Sequence, residues 1–316
     1  MGFYRTQAPA QHFRTSAHAS PLLAGALARL ARECGLSRVV DVGSGRGELL
    51  AALGAADPGL TLVGVDVVDR PAALSSIINP GAVDWVISPG GADLPEVDLG
   101  RALVVAHEWL DDVPCTVVEV DEHGELRVVE VSMDGVERLA GTPTSDEMAW
   151  VRRWWPITGP GTRIEVGLDR DRAWDRLRQR ACGSVLVAVD YDHRRDARPP
   201  AGTLSGYRAG RAVPPVPDGS CDLTAHVALD SLSGGGVLTT QRDALLALGV
   251  ETARPPIGLA STDPAAYLDA VVRAGEVAEL VDRGGLGGFG WLVQSTGPLL
   301  PAALRRLDRR GPGSPG

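Results

Sequence analysis

Apolar residues recur along this chain in two alternating rhythms, one of helical period and one of short β-branched runs. Leu23, Ala26, Leu27 and Leu30 fall at helical spacing behind Pro21, which suits a first turn, and Gly35 is placed to end that helix. Residues 38–42 (RVVDV) then form the compact run expected of a buried parallel strand, and residues 48–53, with Leu49, Leu50 and Leu53, open a second helix. The alternation continues with strands at 61–67, 83–87 and 102–106 and a short helix at 71–78. Strands separated by helices predict an α/β fold: a mostly parallel, Rossmann-like sheet with right-handed crossovers and helices on both faces.

The rhythm breaks at Cys115. Residues 115–120 and 125–131 flank Asp121-Glu122-His123-Gly124, a hairpin signal, and 145–155 is a Trp-rich helical segment. Residues 115–165 are therefore expected to be an inserted cap. Trp150 and Trp154, four apart, share one helical face, which is a core stripe or, more sharply, a lid. The core resumes with an apolar strand at 184–191. Residues 192–222, rich in proline and glycine, are expected to be a long ordered loop and part of a second insertion near 192–226. Helices at 241–248 and 264–280 and a strand at 289–294 complete a single domain over 1–300, with 301–316 expected as a flexible tail.

Composition narrows the function classes. With 316 residues, 44% hydrophobic and 22% charged, the chain reads as globular. A net charge of −9 argues against a nucleic-acid partner, which needs a basic surface. All 31 basic residues are arginine, so no lysine can serve as a Schiff base or nucleophile. Cys34, Cys115, Cys182 and Cys221 form no close pair, so neither a zinc site nor a disulfide framework is expected. No signal-peptide core is visible, and no stretch approaches the ~18 apolar residues of a membrane span. A cytoplasmic protein without a membrane association is the expectation.

The chemistry concentrates at strand ends. Asp41-Val42-Gly43-Ser44-Gly45-Arg46-Gly47 leaves one strand and opens a helix, where small residues and free N–H groups let a nucleotide-type ligand approach. The glycines run G-x-G-x-G. A dinucleotide fingerprint is G-x-G-x-x-G, and here Glu48 would stand where a pyrophosphate must fit, which disfavours an NAD-dependent dehydrogenase. The run resembles methyltransferase motif I, in which the first acid, here Asp41, helps hold the amino group of S-adenosylmethionine. Asp66, ending the next strand about 20 residues on, is placed to accept both ribose hydroxyls. Asp93, after the third strand, is a candidate for the adenine amino group. His107-Glu108-x-x-Asp111 follows the fourth strand, where an acceptor would meet the methyl group. It departs from the zincin pattern H-E-x-x-H by its Asp and its position at a strand end, so no metal is expected.

Residues 107–114 (HEWLDDVP) resemble the N-E-x-x-D-A-L-P segment of the MidA/DUF185 family of methyltransferases, which includes a mitochondrial complex I assembly factor. Other stretches match in the same order: 12–16 (HFRTS) with G-D-F-x-T-S, 189–191 (VDY) with I-D-Y-G, 202–208 with G-T-L-R-x-Y, and 222–227 (DLTAHV) with D-L-T-A-x-V. His107 stands where the family has Asn, and Asp192 where it has Gly. The resemblance implies a class I S-adenosylmethionine-dependent methyltransferase whose acceptor is a protein side chain, arginine being the family's best-known one, or a small molecule. Gly43, Ser44, Gly45, Gly47, Asp41, Asp66 and Asp93 are the candidate donor-binding residues. Glu108 and Asp111 are the candidate catalytic pair, able to grip a guanidinium bidentately. His107, Tyr191 and His226 are candidate substrate contacts. The alternative is a donor-binding assembly factor with little or no turnover. The sequence does not indicate an oligomeric state.

Overall fold

The computed structural model describes residues 21–72, 74 and 83–308. The 12–16 segment and most of the helix expected at 71–78 lie outside them. The chain enters with α1 (Pro21–Glu33), whose Leu23, Leu27 and Leu30 are fully buried, each contributing about 1.5–3 kcal/mol of burial. Next come β1 (Arg38–Val42), α2 (Glu48–Ala56), β2 (Thr61–Asp66), β3 (Val83–Ile87) and β4 (Leu103–His107). The inserted segment holds β5 (Thr116–Val120), β6 (Leu126–Val131), β7 (Glu137–Leu139), α3 (Ser145–Trp154) and β8 (Arg163–Val166). Then follow α4 (Leu168–Arg180), β9 (Val185–Asp190), β10 (Ser205–Arg208), β11 (Arg211–Val213) and β12 (Asp222–Thr224). The chain closes with β13 (Val237–Thr240), α5 (Gln241–Ala247), α6 (Leu259–Thr262), α7 (Pro264–Leu280), β14 (Gly290–Ser295) and α8 (Ala302–Asp308).

The main sheet has the order β13-β14-β9-β4-β1-β2-β3. β1 pairs in parallel with both β2 and β4, and β4 with β9, whereas β14 runs antiparallel between β9 and β13. Chain order therefore reverses between β1 and β4. The loops that leave β1, β2, β4 and β9 emerge along one sheet edge, the crevice where open α/β sheets take their ligands. Apolar clusters cover both faces: α1, α2 and α5 contribute to one, and Trp174 and Leu177 of α4 to the other.

The cap at 115–165 is a four-stranded antiparallel sheet, β7-β6-β5-β8, with a core of its own in which Val118, Trp150, Val151, Trp155 and Ile164 pack. Trp150 is a core residue whose indole N–H donates to Asp171 at 2.8 Å, while Trp154 is only partly buried under Arg153. A full capping box, Thr144 with Glu147, starts α3.

Three expectations are corrected. The long loop at 192–222 contains β10, β11 and β12, a small antiparallel sheet. Its hairpin turns through Ala209 and Gly210, both at positive φ, and an alanine in the first position hides the usual two-residue signal. The tail does not begin at 301: α8 occupies Ala302–Asp308, and Leu304 is fully buried against the elements around β13 and α5. Third, α4 and the strand before it fall in a stretch with no predicted element. Arg170, Ala173, Trp174 and Leu177 form its inward stripe at i, i+3, i+4, i+7, and the arginine in the first place masks the pattern.

Candidate functional site

The turn after β1 is built around three glycines that must be glycine. Gly43, Gly45 and Gly47 have φ of 78°, 56° and 79°. A Cβ on Gly47 would stand 1.8 Å from Leu74, and one on Gly43 would stand 3.1 Å from Trp109. Gly47 is the N-cap of α2, and no side chain caps it. The N–H groups of Gly43 and Ser44 donate to Val65 and that of Gly47 to Ser44, so the turn is held rigidly and the uncapped start of α2 is left for a ligand's polar groups to approach. Ser44 is buried and braces the turn, its hydroxyl donating to the Asp41 carbonyl at 2.7 Å and accepting from the Val65 N–H at 3.2 Å.

Two carboxylates face this cradle. Asp66, the last residue of β2, accepts the Gly45 N–H at 2.7 Å and the Val68 N–H at 3.2 Å. The structure therefore joins the acid at the tip of β2 directly to the glycine turn. Partial burial pushes its carboxyl up against the opposing pull of those N–H groups, with Glu48 adding to the rise. Asp41 is buried, and its carboxyl is pushed up to about 7, first by burial and then by the nearby charges of Asp66 and Glu48, against the Ser44 hydrogen bond. Asp93 does not join them. Its carboxylate is 74% exposed on the loop after β3 and lies 3.6 Å from Arg176 of α4.

A second group gathers where β4 and β9 end. Glu108 has φ of 51°, a left-handed conformation for a residue with a Cβ, and its N–H donates to Val189 of β9 at 2.8 Å. Such strain is the kind that surrounding structure sustains at working sites. His107, buried, has its Nδ1 3.5 Å from the Glu108 carboxylate. Asp111 accepts the Thr224 hydroxyl at 3.0 Å, and its N–H donates to Asp190 at 3.2 Å. Burial raises the carboxyl of Asp111, opposed by the charge of Arg170.

Asp190 and Arg170 escape a reading of the sequence for site residues. Asp190 ends β9 at 1% exposure, and its Oδ1 has no hydrogen-bond partner among the described residues. Burial, then the charges of Asp111 and Glu108, hold its carboxyl well above the ordinary range, with Arg170 opposing. The VDY motif pointed at this position, but only as a resemblance. Arg170 donates to the carbonyls of Asp111, Val113, Ala225 and His226 at 2.9–3.1 Å. It staples the loop after β4 to the segment after β12, and nothing in its sequence context distinguishes it from its many arginine neighbours.

Tyr191 and His226 stack, with ring centroids 5.6 Å apart at 24°, and Tyr191 also meets Phe289 at 4.1 Å. Burial raises the Tyr191 phenol, and the charges of Glu108, Asp111 and Asp190 raise it further, which puts the ring beside the carboxylate group. Burial and the Arg170 charge lower the pKa of His226. Tyr191 also lines a cavity of about 460 Å³, together with His226, Phe289, Glu279, Asp282 and Arg283. Among the described residues no group of three His, Cys, Asp or Glu could hold a metal ion, and no helix is long and apolar enough to cross a membrane.

Comparison with known proteins gives the chain's family. A family model described as "Putative S-adenosyl-L-methionine-dependent methyltransferase" matches residues 73–245, more than half of the chain, beginning beyond the glycine turn. A COG1565 superfamily member from Burkholderia thailandensis, solved bound to S-adenosyl-homocysteine, is 27% identical with a TM-score of 0.69, over 96% of this chain and 82% of that one. A second COG1565 superfamily structure from the same organism, in native form, is 25% identical with a TM-score of 0.71, over 93% and 84% of the two chains. Comparison with curated proteins returns no match.

Proposed function

Because this chain belongs to that family of S-adenosylmethionine-dependent methyltransferases, we propose that the Gly43–Gly47 turn holds the donor and that the carboxylate group at the ends of β4 and β9 receives the acceptor. The observation that carries this reading is the left-handed glycine turn with Asp66 bonded to it at 2.7 Å. The donor, when bound, supplies a methyl group activated by its sulfonium. Gly43, Gly45 and Gly47 allow the backbone to approach it, with Ser44 bracing the turn. Asp66 has lone pairs left to accept ribose hydroxyls, and Asp41 supplies a negative charge for the amino group.

The acceptor is proposed to be a cationic side chain, a protein arginine being the one that the family resemblance implies. Methyl transfer in line asks chiefly for positioning. Glu108 and Asp111 can bind a guanidinium and orient one nitrogen, and the buried Asp190, with an open Oδ1, adds to a field that favours a cation. His107, Tyr191 and His226 form the walls beside them. Glu108→Gln is expected to lower methyl transfer at least ~100-fold while leaving S-adenosyl-homocysteine affinity within about twofold. Labelled donor measures the first and calorimetry the second; unchanged turnover contradicts the role.

The raised carboxyl of Asp41 gives the donor site a pH dependence of definite sign. The free protein keeps this group protonated until pH approaches about 7, whereas in the unfolded chain it ionises near the ordinary carboxylate value. The native state thus holds the extra proton in between, and its stability falls as pH rises through that window. An ammonium ligand prefers the ionised form. Donor affinity is therefore expected to rise about tenfold from pH 6 to pH 8, with protons released on binding below pH 7. Calorimetry in two buffers of different ionisation enthalpy checks both; a flat profile would remove Asp41 from the amino-group role.

A further inference from the structure

The outer face of α7 carries an apolar stripe that the methyl-transfer chemistry does not use. Leu268, Val271 and Val272 are 64%, 43% and 64% exposed, and of this 17-residue helix only Val277 and Leu280 are buried. Large apolar side chains grouped on one exposed face mark a contact surface more often than chance surface composition. Their spacing matters as much as their exposure. Leu268, Val272, Gly275 and Glu279 step by four, three and four residues, so they lie along one helical face. Glu279 is also a wall of the 460 Å³ cavity that opens beside Tyr191. At 1.5 Å per residue the stripe runs about 16 Å from Leu268 to the cavity mouth.

We propose that this face of α7 is the docking surface for a polypeptide methyl acceptor, which lays an apolar segment along Leu268, Val271 and Val272 and sends a basic side chain through the cavity, past Tyr191 and His226, toward the carboxylates at the ends of β4 and β9. The inference rests on the reading of the β4 and β9 ends as the acceptor site. Charge complementarity selects the occupant. With Asp192 paired to Arg194 at 3.4 Å, Glu279 and Asp282 still outnumber Arg283 on the cavity wall. An apolar stripe leading into an acidic, aromatic-walled opening suits a chain bearing apolar residues and, about 16 Å away, a cation. A small cationic molecule would fill the cavity and leave the stripe uncovered. A second copy of this chain would cover the stripe but, at net charge −9, brings like charge toward the acidic mouth.

The double substitution Leu268→Glu, Val272→Glu tests this at exposed positions, where the fold has little to lose. Full-length wild type and variant are incubated with a cell extract and donor carrying a labelled methyl group, and the label is separated into polypeptide and small-molecule fractions. The expected result is a discrete labelled polypeptide with wild type, reduced at least tenfold with the variant, while both bind S-adenosyl-homocysteine equally. Label in small molecules alone, no polypeptide labelled by a donor-binding wild type, or equal labelling by the variant would each overturn the proposal. A wild-type dimer in sedimentation that the variant converts to monomer would also overturn it, by assigning the stripe to a second copy. Failure of wild type to bind S-adenosyl-homocysteine would strike at the underlying site instead.

Discussion

Asp66→Ala is expected to weaken binding of S-adenosyl-homocysteine about 100-fold, a loss of about 2.7 kcal/mol, the scale of one or two hydrogen bonds to a charged acceptor. Two effects combine. The carboxylate proposed to grip the ribose is gone, and the Gly45 N–H, which Asp66 accepts at 2.7 Å, loses the partner that fixes the turn. Asp66→Asn separates them, since an amide can still accept from Gly45 but offers a weaker acceptor to a hydroxyl. It should fall between wild type and alanine. Calorimetry measures both variants, and an alanine variant that binds as wild type does would remove Asp66 from the donor site.

The largest effect on stability is expected at Arg170. Arg170→Met preserves much of the volume but strands the carbonyls of Asp111, Val113, Ala225 and His226, all of which the guanidinium now satisfies. It also removes the cation that opposes the mutual repulsion of Asp111 and Asp190. A cost of about 3–5 kcal/mol follows for a side chain buried to this depth. Urea unfolding should show it as a lower midpoint with an unchanged slope. A change below ~1 kcal/mol would mean that water reaches these carbonyls and that the staple is dispensable.

The parallel core was legible because each of its strands is a short apolar run and each break is marked by glycine or proline. Residues 38–47 alone carried the strand, the turn and the N-cap of α2, and the structure follows them closely. What escaped has specific causes. α4 hides its amphipathic stripe because Arg170 takes an inward position, a choice made by distant carbonyls and invisible to local periodicity. β13 is four residues long behind three glycines and is a strand only because β14 pairs with it. β10 and β11 turn through an alanine at positive φ, which tertiary context imposes.

The site divided in the same way. The left-handed glycine turn and the place of Asp41 and Asp66 on β1 and at the tip of β2 could be read, because backbone geometry dictates glycine and the strand pattern fixes where each strand ends. Glu108 and Asp111 are candidates through a motif, whereas the strain at Glu108 and the bond from Asp111 to Asp190 appear only in three dimensions. Asp93, like Asp66, is an acid after a parallel strand, read as a partner for the adenine amino group. In the structure Asp66 bonds to the glycine turn, whereas Asp93 lies 3.6 Å from Arg176 of α4, a helix that local periodicity does not announce.

The claim underneath all of this is that the first crossover of the sheet is where the methyl donor sits. A crystal structure of the full chain grown with saturating S-adenosyl-homocysteine tests it most directly. The account predicts density across the Gly43–Gly47 backbone, with the ribose hydroxyls within 3.2 Å of Asp66 and the amino group near Asp41. Density elsewhere on the sheet, or an empty crevice at a ligand concentration that saturates binding in solution, would contradict it.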